Sequence, residues 1–140
     1  MSQSPNRLLG IFLGVVYLID GIYGFFLTSD TGFFATSGPK IIDLFGTNPF
    51  HNVLHVAVGL ALLVSGLVGP RIAKGMNTTL GAVYLLVGVL GWILVIAGGN
   101  VPLNILAING PDNVQNFVTA VLLLCVGLGA DASAREVKTA

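Results

Sequence analysis

Four runs of this 140-residue sequence, Leu8 to Leu27, Asn52 to Val68, Leu80 to Gly98 and Val114 to Gly129, are apolar almost without interruption and contain no proline. A hydrocarbon layer about 30 Å thick is crossed by about 20 helical residues, so the first and third runs suffice and the other two approach the limit. In lipid every backbone donor must be satisfied within its own segment, which predicts helices. The alternating segments of about ten residues that an outer-membrane barrel needs do not occur in the sequence. Charged residues are 9% of the chain, against about 25% in a soluble domain. The expected fold class is therefore all-α integral membrane, a four-transmembrane-helix bundle making one domain over residues 1–140, with a polar tail at 130–140.

The cations orient the spans. Of the six, Arg7, Arg71, Lys74, Arg135 and Lys138 fall on one side and Lys40 alone on the other, accompanied by Asp30 and Asp43. Cationic loops are retained in the cytoplasm, so both termini are expected there, in a multi-pass protein of a bacterial plasma membrane. The first run has the positive start of a signal peptide but is too long for one. No small-x-small cleavage site precedes Phe25 and Phe26, and the run is expected to be retained. Zero net formal charge leaves no basic patch for nucleic acid. The single cysteine, Cys125, excludes an intrachain disulfide and is expected to be a small packing residue.

The sequence also resembles itself. LGVVYLIDGIYGFFL from Leu13 matches LGAVYLLVGVLGWIL from Leu80 at an offset of 67, and NPFHNV matches NGPDNV at an offset of 61. Two tandem helical hairpins follow, repeat 1 at about 8–68 and repeat 2 at about 80–129, related by a two-fold axis along the membrane normal. Gly10, Gly14, Gly21 and Gly24 recur on one face with Tyr17, as do Gly81, Gly88 and Gly91 with Tyr84. Small residues let helix backbones approach, so these faces are assigned to the bundle interior. The stretches PKIIDLF and VPLNILAI are too short to span. Each is either an interfacial segment beside an aromatic belt of Phe25, Phe26, Phe33, Phe34, Phe45 and Phe50, or a tight loop packed over the bundle.

Asp20 most needs explaining. A carboxylate inside a span costs several kcal/mol and usually faces the interior with a partner. Its equivalent in the second repeat is Val87, so the architecture does not itself require an acid. His51 and His55 share one face of span 2, and Asp112 and Asn116 hold the matching positions of span 4. With Asn52 and Asn113 beside them, Asp20, His51, His55, Asp112 and Asn116 are expected to converge at the outer mouth. Three roles compete for this cluster. One is structural hydrogen bonding, with Asn48 or Asn109 as helix caps. Another is a metal or cofactor site on His51 and His55, for which HxxxH alone is weak support. The third is proton or small-solute handling by an aspartate and histidine pair. No motif for conventional catalysis or cofactor binding is present, since Ser65 has no base nearby and no GxGxxG follows a strand.

With NPFHNVLHVAVG, VYLLVGVLG and NGPDNVQNFVTAV, the chain resembles the bacterial family designated domain of unknown function 4383, small four-span membrane proteins, from Leu8 to Gly129. Its most specific piece is Asn-x-x-His at Asn52 and His55. The family pattern often places a histidine where this chain has Asn116. A more distant, fold-level likeness is to DoxX-type four-span proteins, some associated with respiratory or redox complexes. These resemblances imply no established reaction. The expected function is non-enzymatic, without a cofactor. The chain would be an accessory or assembly subunit of a larger, possibly respiratory membrane complex, with other membrane subunits or further copies of itself as partners within the lipid bilayer. The alternative is a small redox, metal-binding or proton-handling component that uses the Asp20, His51 and His55 cluster.

Overall fold

A computed structural model describes residues 4–129 of the chain. It contains helices α1 (Pro5–Leu27), α2 (Pro49–Val68), α3 (Pro70–Ile96) and α4 (Gly110–Gly129). Each is long and apolar enough to cross a membrane. The polar tail expected at 130–140, with Arg135 and Lys138, lies outside the described residues.

Every helix begins earlier than its apolar run predicts, and proline is the reason. Pro5, Pro49 and Pro70 open their helices and Pro111 is second in α4, positions where a missing N–H has no intrahelical partner to lose. The largest correction is at α3. Arg71 and Lys74, expected in a loop, occupy its first turns, and Gly69 alone separates it from α2. At its far end α3 stops at Ile96, short of the expected Gly98, because Gly98 and Gly99 take left-handed backbone with φ of 104° and 72°.

This short connection defines a turn end of the bundle, where Arg7 donates through Nε to the Gly66 carbonyl at 2.8 Å. The contact places a cation on the otherwise orphaned carbonyls that close α2. The opposite, loop end carries residues 28–48 and 97–109. There Lys40–Ile41 (β1) pairs antiparallel with Phe45–Gly46 (β2), in the register Lys40 with Gly46 and Ile41 with Phe45. Ile42 and Asp43 turn the hairpin in left-handed conformation, and Ile41 is buried beneath it. PKIIDLF is therefore a tight hairpin packed over the helices, and the Ile105 to Ile108 stretch likewise buries Ala107 and Ile108. Phe33, Phe34 and Phe50 form an edge-packed cluster at this end.

The bundle is polar inside and apolar outside. Leu13, Tyr17, Leu62, Tyr84, Ala120 and Leu123 make a narrow core, while Asn6, Asn52, Asn77, Asn104 and Asn113 are almost fully enclosed. Outward-facing Phe12, Phe26, Ile96 and Leu103 are 65–82 % exposed, an arrangement that water penalises and lipid accepts. Cys125 belongs to this outer surface, which corrects the expectation of a packing role. Leu123 and Gly127 carry the inward face of α4, and Cys125 lies between them on the other side.

The helices meet closely, α1 chiefly on α2 and α3 chiefly on α4. Gly10, Gly14, Gly21, Gly24, Gly81, Gly88 and Gly91 are all buried. Gly14 shows why size matters: a Cβ there would lie 2.6 Å from the Leu63 nitrogen and 2.9 Å from the Gly59 carbonyl. Both are backbone atoms and cannot swing aside. Gly75, on the open side of α3, has nothing within 4 Å of the same position. Gly14→Val should therefore lower thermal stability in detergent by about 1–3 kcal/mol through overpacking. Gly75→Ala should be neutral or raise stability by up to about 1 kcal/mol through helix propensity. Equal behaviour of the two variants would contradict this packing.

Candidate functional site

The site is assembled at the loop end by the start of α2. Asn48 precedes Pro49 and caps the helix, accepting from the His51 backbone N–H at 2.8 Å. Its amide donates to the carbonyls of Ala35 and Ile105, each at 2.7 Å, so one side chain pins the helix start to both loops. This fixes His51 in the first turn and His55 one turn later, on the same face.

On α1, Asp20 stands beside that face. His55 Nδ1 is 2.5 Å from Asp20 Oδ2, and His55 Nε2 is 2.9 Å from His51 Nε2. Three side chains from two helices thus form one hydrogen-bonded line. The His55 and Asp20 side chains are 11% and 22% exposed, so the pair is mostly withdrawn from its surroundings. Tyr17, one turn before Asp20, places its ring edge-on to His55 at 4.9 Å and its hydroxyl 2.8 Å from Thr119 Oγ1 on α4. Tyr84 of α3 lies 5.5 Å from Tyr17 between centroids. All four helices therefore contribute to the surroundings of His55.

Counting hydrogens shows what this line can do. Only one of two facing Nε2 atoms can hold the hydrogen between them. If both imidazoles are neutral and His55 donates to Asp20, then His51 must donate to His55, leaving a bare lone pair on His51 Nδ1. That atom is buried and has no hydrogen-bond partner. In the other order the hydrogen sits on His51 Nδ1, which is then a buried donor without an acceptor. Placing one there reverses the His51–His55 bond and leaves an additional proton between His55 and Asp20. The line therefore admits two orders of hydrogens that differ by one proton.

The other expected members take different positions. Asn116 lines a cavity together with His51 and His55. Asp112 does not join the line of Asp20, His55 and His51. Its Oδ2 accepts from the backbone N–H groups of Asn109 at 2.8 Å and Gly46 at 3.1 Å, and Asn109 Oδ1 accepts in return from the Asp112 N–H. This reciprocal capping box ties the β-hairpin to α4 and occupies the carboxylate. Among the described residues no group of three or more His, Cys, Asp or Glu side chains is placed to hold a metal ion.

Asn52 and Asn113 lie against glycines of the neighbouring helix, Gly24 and Gly91, where a Cβ would collide with each amide. Their hydrogen bonding differs. Asn52 accepts from Thr47 Oγ1 at 2.6 Å and donates to Thr28 Oγ1 at 3.0 Å. Neither amide atom of Asn113 has a partner. At the sequence offsets of 67 and 61, Thr28 and Thr47 correspond to Val95 and Ile108, which carry no hydroxyl.

Tyr17, Tyr84 and Thr119 were not among the residues expected in the polar cluster. The signal was available for Tyr17, which precedes Asp20 by three residues and so shares its helix face. Thr119 gives no such signal, because its contact with Tyr17 crosses from α4 to α1.

The family described as Domain of unknown function (DUF4383) matches residues 7–129. No curated protein and no solved structure matches the chain.

The contrast between the two asparagines gives a stability test. Asn52→Leu removes two buried hydrogen bonds, stranding the Thr47 hydroxyl while that of Thr28 keeps the Gly24 carbonyl, and should cost about 1–3 kcal/mol. Asn113→Leu removes an amide that has no partner and should be neutral or stabilising by up to about 1 kcal/mol. Chemical unfolding in mixed micelles measures both, and an equal loss in the two variants would contradict the hydrogen bonding described.

Proposed function

The chain belongs to the family described as Domain of unknown function (DUF4383), and from that premise we propose that it is a non-enzymatic integral membrane component holding and exchanging a proton at one face through Asp20, His55 and His51. One observation carries the proposal: the carboxylate inside α1 lies 2.5 Å from an imidazole that itself meets a second imidazole. Val87 at the equivalent position supports a role beyond packing, since a hydrocarbon side chain serves there. The relay is one-sided. Leu13, Leu62, Ala120 and Leu123 pack the bundle toward the turn end, where a proton path would need polar groups or water. This favours local proton exchange over conduction across the membrane.

The finer architecture proposed with it is a duplication of two tandem helical hairpins. Its support is the matched pairs Tyr17 and Tyr84, Gly24 with Asn52 and Gly91 with Asn113, and the caps Asn48 and Asn109. The turn end carries Arg7, Arg71 and Lys74 against Lys40 at the loop end, which favours cytoplasmic termini and an outward-facing relay in a bacterial plasma membrane. A second reading is an accessory or assembly subunit of a larger, possibly respiratory complex, with other membrane proteins or further copies of this chain as partners. It is favoured by the single-residue connection between α2 and α3, which leaves no room for a domain between those two helices.

In lipid nanodiscs, proton NMR of the full chain should show a low-field exchangeable imidazole N–H that is lost in Asp20→Asn and retained in Asp112→Asn. Absence of that signal, or its loss in Asp112→Asn alone, would refute the relay. Purification from native membranes separates the two readings. A stoichiometric membrane partner whose complex remains fully active with Asp20→Asn would support the accessory role and count against the relay.

A further inference from the structure

A cavity of about 140 Å³ lies between α2, α3 and α4, beneath the stretch that ends at Ile108. Hydrocarbon that includes Val83 and Val87 lines much of it, and His51, His55, Tyr84 and Asn116 reach it from three helices. An apolar protein cavity of about 150 Å³ stays dry and takes up a benzene-sized ring. The hydrocarbon lining disfavours a charged occupant, because nothing there replaces its hydration.

Asn116 says what the ring must carry. It is 7% exposed and lines the cavity, yet its side-chain amide forms no hydrogen bond with any described residue. Burying an amide without a partner is unfavourable by about 1–3 kcal/mol. An oxygen substituent on the ring removes that penalty, accepting from the amide nitrogen or donating to the amide oxygen.

The route of access is lateral. Leu54 and Val83, on the α2 and α3 sides of the cavity, are 37% and 46% exposed on the apolar outer surface, so the opening faces the hydrocarbon of a bilayer. A second cavity of about 180 Å³ shares Val87, Leu106 and Ile108 with the first and continues past Gly91 to Leu94 and Leu103. Because they share these walls, we read the two neighbouring cavities as one bent slot, ring-sized with polar groups at one end and largely apolar along α3 at the other.

We propose that this slot binds an uncharged, lipid-soluble, single-ring compound bearing ring oxygen, of the quinone or phenol type, with its ring against Asn116 and its hydrocarbon tail along α3. The proposal concerns binding and includes no redox step. It deepens the relay reading by placing the ring oxygen beside His51 and His55, but the binding stands on Asn116 and the slot.

The probe is a decyl-substituted benzoquinone, added to the full chain in nanodiscs and read by quenching of Trp92, the single tryptophan. Decylbenzene serves as the oxygen-free competitor. The expected result is saturable quenching, weakened at least tenfold by Asn116→Leu, which removes the polar partner, and by Val83→Phe, which fills the cavity. Decylbenzene should compete at least tenfold more weakly than the quinone. Quenching that only tracks partition into lipid, equal affinity in both variants, or equal competition by decylbenzene would each overturn the proposal. Absent binding with the imidazole N–H signal intact overturns this inference and leaves the relay standing, whereas saturable binding with that signal absent does the reverse.

Discussion

A carboxylate inside a membrane-spanning helix has no water to satisfy it, so the contact between Asp20 and His55 is the interaction around which the loop end is organised. It joins α1 to α2 where an unpaired acid would oppose insertion by several kcal/mol. Several features converge on it. Asn48 sets the start of α2 and hence the height of His55. Tyr17 covers the imidazole with a ring edge and anchors itself on α4 through Thr119. Gly21 and Gly24 bring α1 close enough to α2 for a short aspartate side chain to reach across. Lipid gives no hydrophobic drive for helices to associate, so close backbone approach and enclosed polar bonds carry that task.

The two halves of the chain carry different chemistry at positions matched in sequence. Where α2 carries His51, His55 and a fully bonded Asn52, α4 carries a capping Asp112, an Asn116 facing a cavity and an Asn113 without partners. The differences lie in a few side chains. Valine and isoleucine replace the threonines around the second asparagine, and Val87 replaces the acid. One half thus holds the hydrogen-bonded Asp20, His55 and His51, and Asn116 of the other faces the cavity beside them.

Much of this was legible in the sequence, and the failures have identifiable causes. Four apolar runs without proline give four helices, since lipid permits few other solutions. Asp20 and His55 could be paired because each lies in the same half of its span and each is expensive to leave alone. Helix starts were less legible. The third apolar run begins only at Leu80, beyond Arg71 and Lys74, whereas the helix begins at Pro70, which lacks an N–H and tolerates the first position. That error has a chemical consequence at α4. With the start placed at Val114, Asp112 looks like a free acid near the mouth, but with the start at Gly110 it stands opposite Asn109 in a capping box. Tyr17 was read as filler because an aromatic on a glycine face packs whether or not its hydroxyl has a partner.

A double-mutant cycle on Asp20 and His55 tests the central claim most directly. Unfolding free energies in bicelles are compared for the parent chain, Asp20→Asn, His55→Leu and the combined variant. A coupling of about 1–2 kcal/mol is expected, with the combined variant more stable than the single losses would sum to. Coupling indistinguishable from zero would mean that the carboxylate and the imidazole do not depend on each other, and the relay would fall with it.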